Sequence, residues 1–105
     1  MNYEELIKNL KEEDGITLKN FEPVTYKSGY QVASEGKETS SIIEAINIVK
    51  EYAGAAGVWL YKGVYYVDKS FRVKTKKEAL RIGKENNQIS VLKWETMDLI
   101  YCNEN

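Results

Sequence analysis

The sequence contains no histidine among its 105 residues, and this absence excludes several kinds of catalytic site. Without histidine there is no Ser-His or Cys-His nucleophile pair and no histidine ligand for a metal. The single cysteine, Cys102, rules out an intrachain disulfide and a multi-cysteine zinc site, and it suits a reducing cytoplasm. No glycine-rich phosphate loop is present either. These absences predict a protein that is not an enzyme and that holds no metal or cofactor. Carboxylate-pair or lysine chemistry stays open, since the sequence has 16 acidic and 15 basic residues, but scattered acids on a small domain are usually solvated surface.

The sequence also has only one proline, no low-complexity stretch and no linker, so it predicts a single α+β domain over residues 1–105. Its apolar fraction of 43% and charged fraction of 30% are typical of folded globular proteins. The first 15 residues, MNYEELIKNLKEEDG, are interrupted by charges and fit neither a signal peptide nor a membrane span. We therefore expect a cytoplasmic protein without membrane contact.

Three helices are predicted from one capping signal, a polar residue followed three positions later by glutamate. The pairs are Asn2 with Glu5, Ser41 with Glu44, and Thr75 with Glu78. The helices then cover about 3–13, 42–53 and 76–86. The second helix has the widest apolar stripe and is expected to be largely buried. The third helix has little apolar surface and is expected to lie on the surface of the protein.

Strand patterns fill the remaining sequence. VTYKSGYQVAS predicts a hairpin with Gly29 at a left-handed position, and VWLYKGVYYV predicts a second hairpin that turns at Lys62-Gly63. QISVLKW predicts a core strand and DLIY a short edge strand. Together these elements predict an α+β fold in two layers. It has an antiparallel sheet of about five strands and three helices in the order α-ββ-α-ββ-α-β.

Two hairpin–helix segments align at a spacing of 34 to 35 residues. Tyr26-Lys27 matches Tyr61-Lys62, and the helix caps Ser41 and Thr75 coincide. Repeats of similar length occur in several architectures, so the pattern is consistent with a duplicated ββα unit. A chance coincidence of similar caps and helices in a short chain accounts for it equally well.

The second hairpin is apolar on both faces, although a half-buried strand should alternate apolar with polar residues. One face carries Val58, Leu60, Tyr65 and Val67. The opposite face carries Trp59, Tyr61, Val64 and Tyr66. We predict that the more aliphatic face is core. The rings of Trp59, Tyr61 and Tyr66 then form a candidate partner-binding surface, or they are covered by the first helix or by a second copy of the chain.

The net charge is only −1, but positive and negative residues are unevenly distributed along the sequence. Residues 62–84 contain eight basic and two acidic side chains. The candidate basic stripe comprises Arg72, Lys74, Lys77, Arg81 and Lys84. Basic residues beside exposed rings are a combination used to bind RNA, although the isoelectric point near 5.6 is low for such proteins. A solvated helix face is the simpler interpretation of the stripe. The rest of the sequence, outside residues 62–84, is acidic, and this charge suggests docking on a basic, nucleic-acid-binding protein.

The strings GYQVA, GVWLYKGVYYVDKS and TKKEALRIGKENNQISVLKW, within residues 26–94, resemble small proteins from phages and mobile elements of low-GC Gram-positive bacteria. The chain is similar in size and style to anti-CRISPR inhibitors of the type II CRISPR effector nuclease. This resemblance implies a non-catalytic inhibitor, in the bacterial host's cytoplasm, that binds the nuclease or obstructs its guide RNA. It carries over no functional residue. The alternative function is a nucleic-acid-binding accessory protein that acts through the basic stripe.

Overall fold

A computed structural model describes residues 2–102 as an α+β fold with three helices and a seven-stranded sheet. The helices are α1 Tyr3–Lys8, α2 Ile42–Glu51 and α3 Lys76–Glu85. The strands are β1 Gly15–Lys19, β2 Glu22–Pro23, β3 Tyr30–Thr39, β4 Ala56–Tyr61, β5 Val64–Val73, β6 Ser90–Lys93 and β7 Asp98–Tyr101. The sheet is antiparallel, in the order β2-β1-β4-β5-β3-β6-β7. The predicted class is confirmed, but the sheet has seven strands instead of about five.

The predicted hairpin at Lys62-Gly63 is confirmed. Tyr61 pairs with Val64, which leaves a two-residue turn between β4 and β5. Lys62 and Gly63 both have positive φ, 51° and 76°, as a type I′ turn requires. The Glu12 carboxylate accepts hydrogen bonds from both of their backbone N–H groups, so the turn is also held from outside the hairpin.

The three predicted helix caps are present, but the first helix is shorter than predicted. Asn2, Ser41 and Thr75 each accept a hydrogen bond from the backbone N–H of the glutamate three positions later. The helix predicted over 3–13 ends at Lys8. Glu13 explains this early end, because it has φ 74° and donates its N–H to the carbonyl of Leu60 at 2.7 Å. The chain here joins β4 instead of continuing the helix.

The first predicted hairpin is wrong. Residues 24–29 form a loop, and the short strand β2 pairs with β1, which the sequence analysis had not identified. Strand β3 pairs instead with β6, where Tyr30 lies opposite Lys93. Gly29 nevertheless has the predicted left-handed backbone, with φ 86°. The backbone conformation of Gly29 was predicted correctly, but its loop does not connect two strands of a hairpin.

The described residues form two compact units, each with its own hydrophobic core. Unit 1 comprises residues 2–24 and 36–69, and unit 2 comprises residues 25–35 and 70–102. The core of unit 1 includes Ile7, Leu18, Val49, Val58 and Val67. The core of unit 2 consists of Val32, Val73, Ala79, Val91 and Cys102. In unit 1, residues of α1 and α2 therefore pack on one face of β1, β4 and β5.

The elements recur at a spacing of 34 residues. Strands β3, β5 and β7 begin at residues 30, 64 and 98, helices α2 and α3 at 42 and 76, and strands β4 and β6 at 56 and 90. Each of these helices is followed by a residue with positive φ, Ala53 at 55° and Asn87 at 56°. The recurring segment is β-α-β, first β3-α2-β4 and then β5-α3-β6, and not the ββα unit of the sequence alignment. An ancestral duplication stays a prediction.

Candidate functional site

The hairpin β4–β5 separates its apolar residues between two faces as predicted. Val58, Leu60, Tyr65 and Val67 are buried in the core of unit 1. Trp59 and Tyr66 are exposed on the opposite face, with 47% and 37% of their surface accessible. Because side chains alternate along a strand, the backbone itself produces this separation. Helix α1 packs on the core face through Ile7, so it does not cover the rings.

Trp59, Tyr61 and Tyr66 lie together, and we call them the aromatic cluster. The rings of Trp59 and Tyr61 stack with centroids 5.1 Å apart and planes at 9°. Tyr66 lies directly opposite Trp59 in the β4–β5 register, with centroids 5.8 Å apart and planes at 40°. The cluster thus combines neighbours along one strand with neighbours across two strands.

Backbone contacts fix the orientation of Trp59. Its indole N–H donates to the carbonyl of Glu13 at 3.4 Å. Gly15 lies opposite it on β1, and a Cβ at that position would lie 3.6 Å from the indole ring. At the other end of the stack, the Lys62 ammonium lies 5.3 Å from the centroid of Tyr61. Rings held in this way lose little conformational entropy when a partner binds.

Carboxylates border the aromatic cluster. Glu12 binds the hairpin turn, and the backbone of Glu13 and Asp14 bonds to Trp59 and Leu60. Asp68 follows Tyr66 on the same face of β5, and its Oδ1 accepts the N–H of Gly57 at 3.3 Å. Negative charge beside exposed rings favours a cationic partner and disfavours phosphate. This acidic border was not predicted from the sequence.

Four of the five residues of the predicted basic stripe are exposed on or just before α3, whereas Arg72 makes contacts elsewhere in unit 2. Lys77, Arg81 and Lys84 are exposed, as is Lys74 before the helix. Arg81 forms a salt bridge with Glu85 at 3.0 Å, which partly neutralises the centre of the stripe. The stripe is therefore a solvated helix face whose available charge comes mainly from its lysines.

Arg72 contacts other residues of unit 2 instead. Its guanidinium lies 5.1 Å from the ring centroid of Tyr26. Its Nε donates to the carbonyl of Ser28 at 2.9 Å, and its Nη2 donates to the Ser28 hydroxyl at 3.1 Å. These bonds hold the loop of residues 24–29 against β5. We assign Arg72 a structural contact that no local sequence pattern had indicated.

Two other features of unit 2 were missed. Trp94 is buried, packs edge-on against Tyr26, and donates its indole N–H to Gln31 at 3.1 Å. Leu99 and Tyr101 are more than half exposed on the edge strand β7. The spacing of two residues in DLIY was the available signal that Leu99 and Tyr101 share a face.

Cys102 is buried against α3. A Cβ at Gly83 would lie 2.6 Å from the Cys102 sulfur, so the thiol occupies space that only glycine leaves open. Burial raises the pKa of the Cys102 thiol, and the nearby positive charge of Lys84 opposes this shift. A thiol packed in this way is inert compared with an exposed thiolate.

We expect the native thiol of Cys102 to react with Ellman's reagent much more slowly than the same thiol in denaturant. The difference should be roughly tenfold or more, because reaction requires local opening of unit 2. Since folding raises the thiol pKa, stability from this group is present at neutral pH and is lost as the pH rises through the folded pKa. Equal reaction rates with and without denaturant would contradict the buried position.

Residues 2–102 contain neither a metal-binding cluster nor a helix able to span a membrane. Within residues 2–102, no three histidine, cysteine, aspartate or glutamate side chains form a group able to hold a metal ion. None of the helices in that range has the length and apolar character needed to cross a membrane. Comparisons with protein-family models, curated proteins and solved structures find no match to this chain. Function is accordingly inferred from the geometry of the chain's own surface.

Proposed function

We propose that the protein is a non-catalytic inhibitor that docks its aromatic cluster on a nucleic-acid-binding protein, and that this partner is a type II CRISPR effector nuclease. The observation that carries the proposal is the cluster itself: partly exposed rings in contact with one another, on the sheet face opposite the core. Exposed aromatic groups of this kind are enriched in binding sites and contribute a large share of binding energy.

The charge around the cluster supports a protein partner over RNA. A nuclease that holds guide RNA and DNA presents basic grooves to their phosphates. The carboxylates of Glu12, at the hairpin turn, and Asp68, beside Gly57, complement such a groove and would repel RNA phosphates. The inhibitor would thus occupy a surface that nucleic acid otherwise uses. The nuclease is named from the sequence resemblance, and the surface chemistry supports the wider class of basic partner.

A second candidate function uses the basic stripe. Lys77, Arg81 and Lys84 are exposed on consecutive turns of α3, so they can meet the phosphates of a nucleic acid together. Through this surface the protein would bind guide RNA, or act as a nucleic-acid-binding accessory of a phage or mobile element. The candidate predicts binding that weakens steeply with salt.

An inhibition assay with purified nuclease, guide RNA and DNA target tests the main proposal. Trp59→Ala should weaken inhibition by about 30-fold or more, because a central interface tryptophan commonly contributes about 2 kcal/mol or more. Tyr101→Ala, which truncates an exposed ring outside the cluster, is the matched control and should inhibit like the native protein. Circular dichroism melting of both variants shows that each remains folded.

The order of addition identifies the inhibited step. Inhibition only when the protein precedes the guide RNA indicates interference with assembly, whereas inhibition in either order indicates a block of DNA binding or cleavage. Loss of inhibition in Lys77→Glu/Lys84→Glu, with full inhibition by Trp59→Ala, would favour the second candidate. A dimer in light scattering that Trp59→Ala dissociates would show that the cluster contacts a second copy of the chain. No inhibition by the native protein would overturn the nuclease as partner.

A further inference from the structure

The indole of Trp59 has two different neighbours along its own strand. Tyr61 stacks on it from one side. On the other side, the next residue on the same face of β4 is Gly57, which has no side chain. No β4 side chain therefore covers this side of the indole, and nearly half of the Trp59 surface is accessible.

A carboxylate lies over Gly57 instead. Asp68 pairs with Gly57 across the strands, and its Oδ1 accepts the Gly57 N–H. A Cβ at Gly57 would lie 2.8 Å from this oxygen, so glycine is what admits the carboxylate here. Gly36 borders Asp68 as well, because a Cβ there would lie 3.4 Å from the Asp68 Cβ. The carboxylate is thus flanked by two positions without side chains.

The rings and the carboxylate are spaced for a long cationic side chain. The Gly57–Asp68 pair is the row next to the Trp59–Tyr66 pair on the same face, which places the two rows about 7 Å apart. A planar group stacked on the indole beside Gly57 would therefore reach the Asp68 carboxylate. The Lys62 ammonium over Tyr61 shows that the cluster already accepts one cation.

We propose that Trp59, Tyr66 and Asp68 form a receptor for an arginine side chain of the partner. The guanidinium stacks on the indole, and its N–H groups donate to the Asp68 carboxylate. Arginine suits this geometry better than lysine, because its guanidinium is planar, weakly hydrated and able to stack and hydrogen-bond at once. The inference rests on the proposed function in one respect: the arginine belongs to the basic surface on which the protein docks.

Two capped peptides that differ only in their cation test the receptor without the nuclease. Each has the pattern Gly-X-Gly-X-Gly, with X either arginine or lysine, and each is titrated to millimolar concentration. Amide and indole resonances of the protein are followed by NMR. The arginine peptide should shift the indole N–H of Trp59 and leave that of buried Trp94 unchanged, and the lysine peptide should bind more weakly.

Asp68→Asn is the decisive variant, because the amide oxygen can still accept the Gly57 N–H while the charge is lost. This variant should bind the arginine peptide about tenfold more weakly, as expected for loss of one hydrogen bond to a charged group. Asp98→Asn removes an exposed carboxylate on β7 and is the control, with binding expected to be unchanged.

Unchanged binding by Asp68→Asn, or equal affinity for both peptides, would overturn the arginine receptor and leave only general attraction between charges. These outcomes are separable from those of the proposed function. If the peptide result fails while Trp59→Ala still abolishes nuclease inhibition, docking through the cluster stands without the receptor. If the arginine peptide binds as expected and no nuclease is inhibited, the receptor stands and the named partner is wrong.

Discussion

Replacing Leu60 with alanine is expected to lower the free energy of unfolding by about 2–5 kcal/mol, the usual cost of truncating a core leucine. Leu60 is 8% exposed and packs in the core of unit 1, beside Val58 and Val67. The truncation leaves a cavity that the sheet and α2 can only partly fill. Urea denaturation followed by circular dichroism measures the change.

The adjacent residue provides the matched comparison. Tyr61→Ala lies next to Leu60 on β4 but faces the other way, where it stacks on Trp59. It should cost less than about 1.5 kcal/mol, the upper value of a typical aromatic pair, and it should weaken nuclease inhibition instead. Equal destabilisation by the two variants, with inhibition lost only in proportion to unfolding, would mean that both faces act as core.

The features that the sequence predicted correctly are encoded locally. A helix cap needs a polar residue and a backbone N–H three positions later, and all three such pairs form the predicted bond. The turn at Lys62-Gly63 needs two residues with positive φ, and it fixes the register of β4 and β5. Once this register was known, the division between Leu60 and Tyr61 followed from alternation alone.

The features that were missed depend on residues far apart in sequence. The loop of residues 24–29 is held by Arg72, which is 44 positions from Ser28. The sequence Lys27-Ser28-Gly29 predicted a hairpin turn, but these contacts from a distant residue hold the segment as a loop instead. Helix α1 ends early because Glu13 bonds to β4, and no pattern within residues 3–13 encodes that partner.

The candidate site shows the same division. Its rings were identified from the hairpin alone, since Trp59, Tyr61 and Tyr66 belong to two consecutive strands. Part of its acidic border was also within reach, because Asp68 lies two positions after Tyr66 in the same strand. Glu12 was not, since it reaches the hairpin turn from 50 positions away in the sequence. Of the two partner chemistries that the sequence left open beside the rings, RNA phosphates and a basic protein, this border favours the basic protein.

A second large effect is expected at Gly54, just after α2. Gly54 has φ 75° and donates its N–H to Val49, which closes the end of the helix. A Cβ at Gly54 would lie 2.4 Å from the backbone nitrogen of Phe21, a contact that no side-chain rotation relieves. Gly54→Ala therefore combines left-handed strain with a backbone clash, and we expect it to lower the free energy of unfolding by about 3–5 kcal/mol.

Gly63→Ala separates these two causes. Gly63 has nearly the same φ, 76°, but a Cβ there would meet nothing within 4 Å. This variant should lose only the conformational part, about 1–2 kcal/mol. Urea denaturation of both variants gives the difference, which measures the contact between the end of α2 and the turn at Phe21. If both variants lose the same stability, that turn moves aside at no cost, and the β1–β2 hairpin is not held against α2 as the geometry of Gly54 indicates.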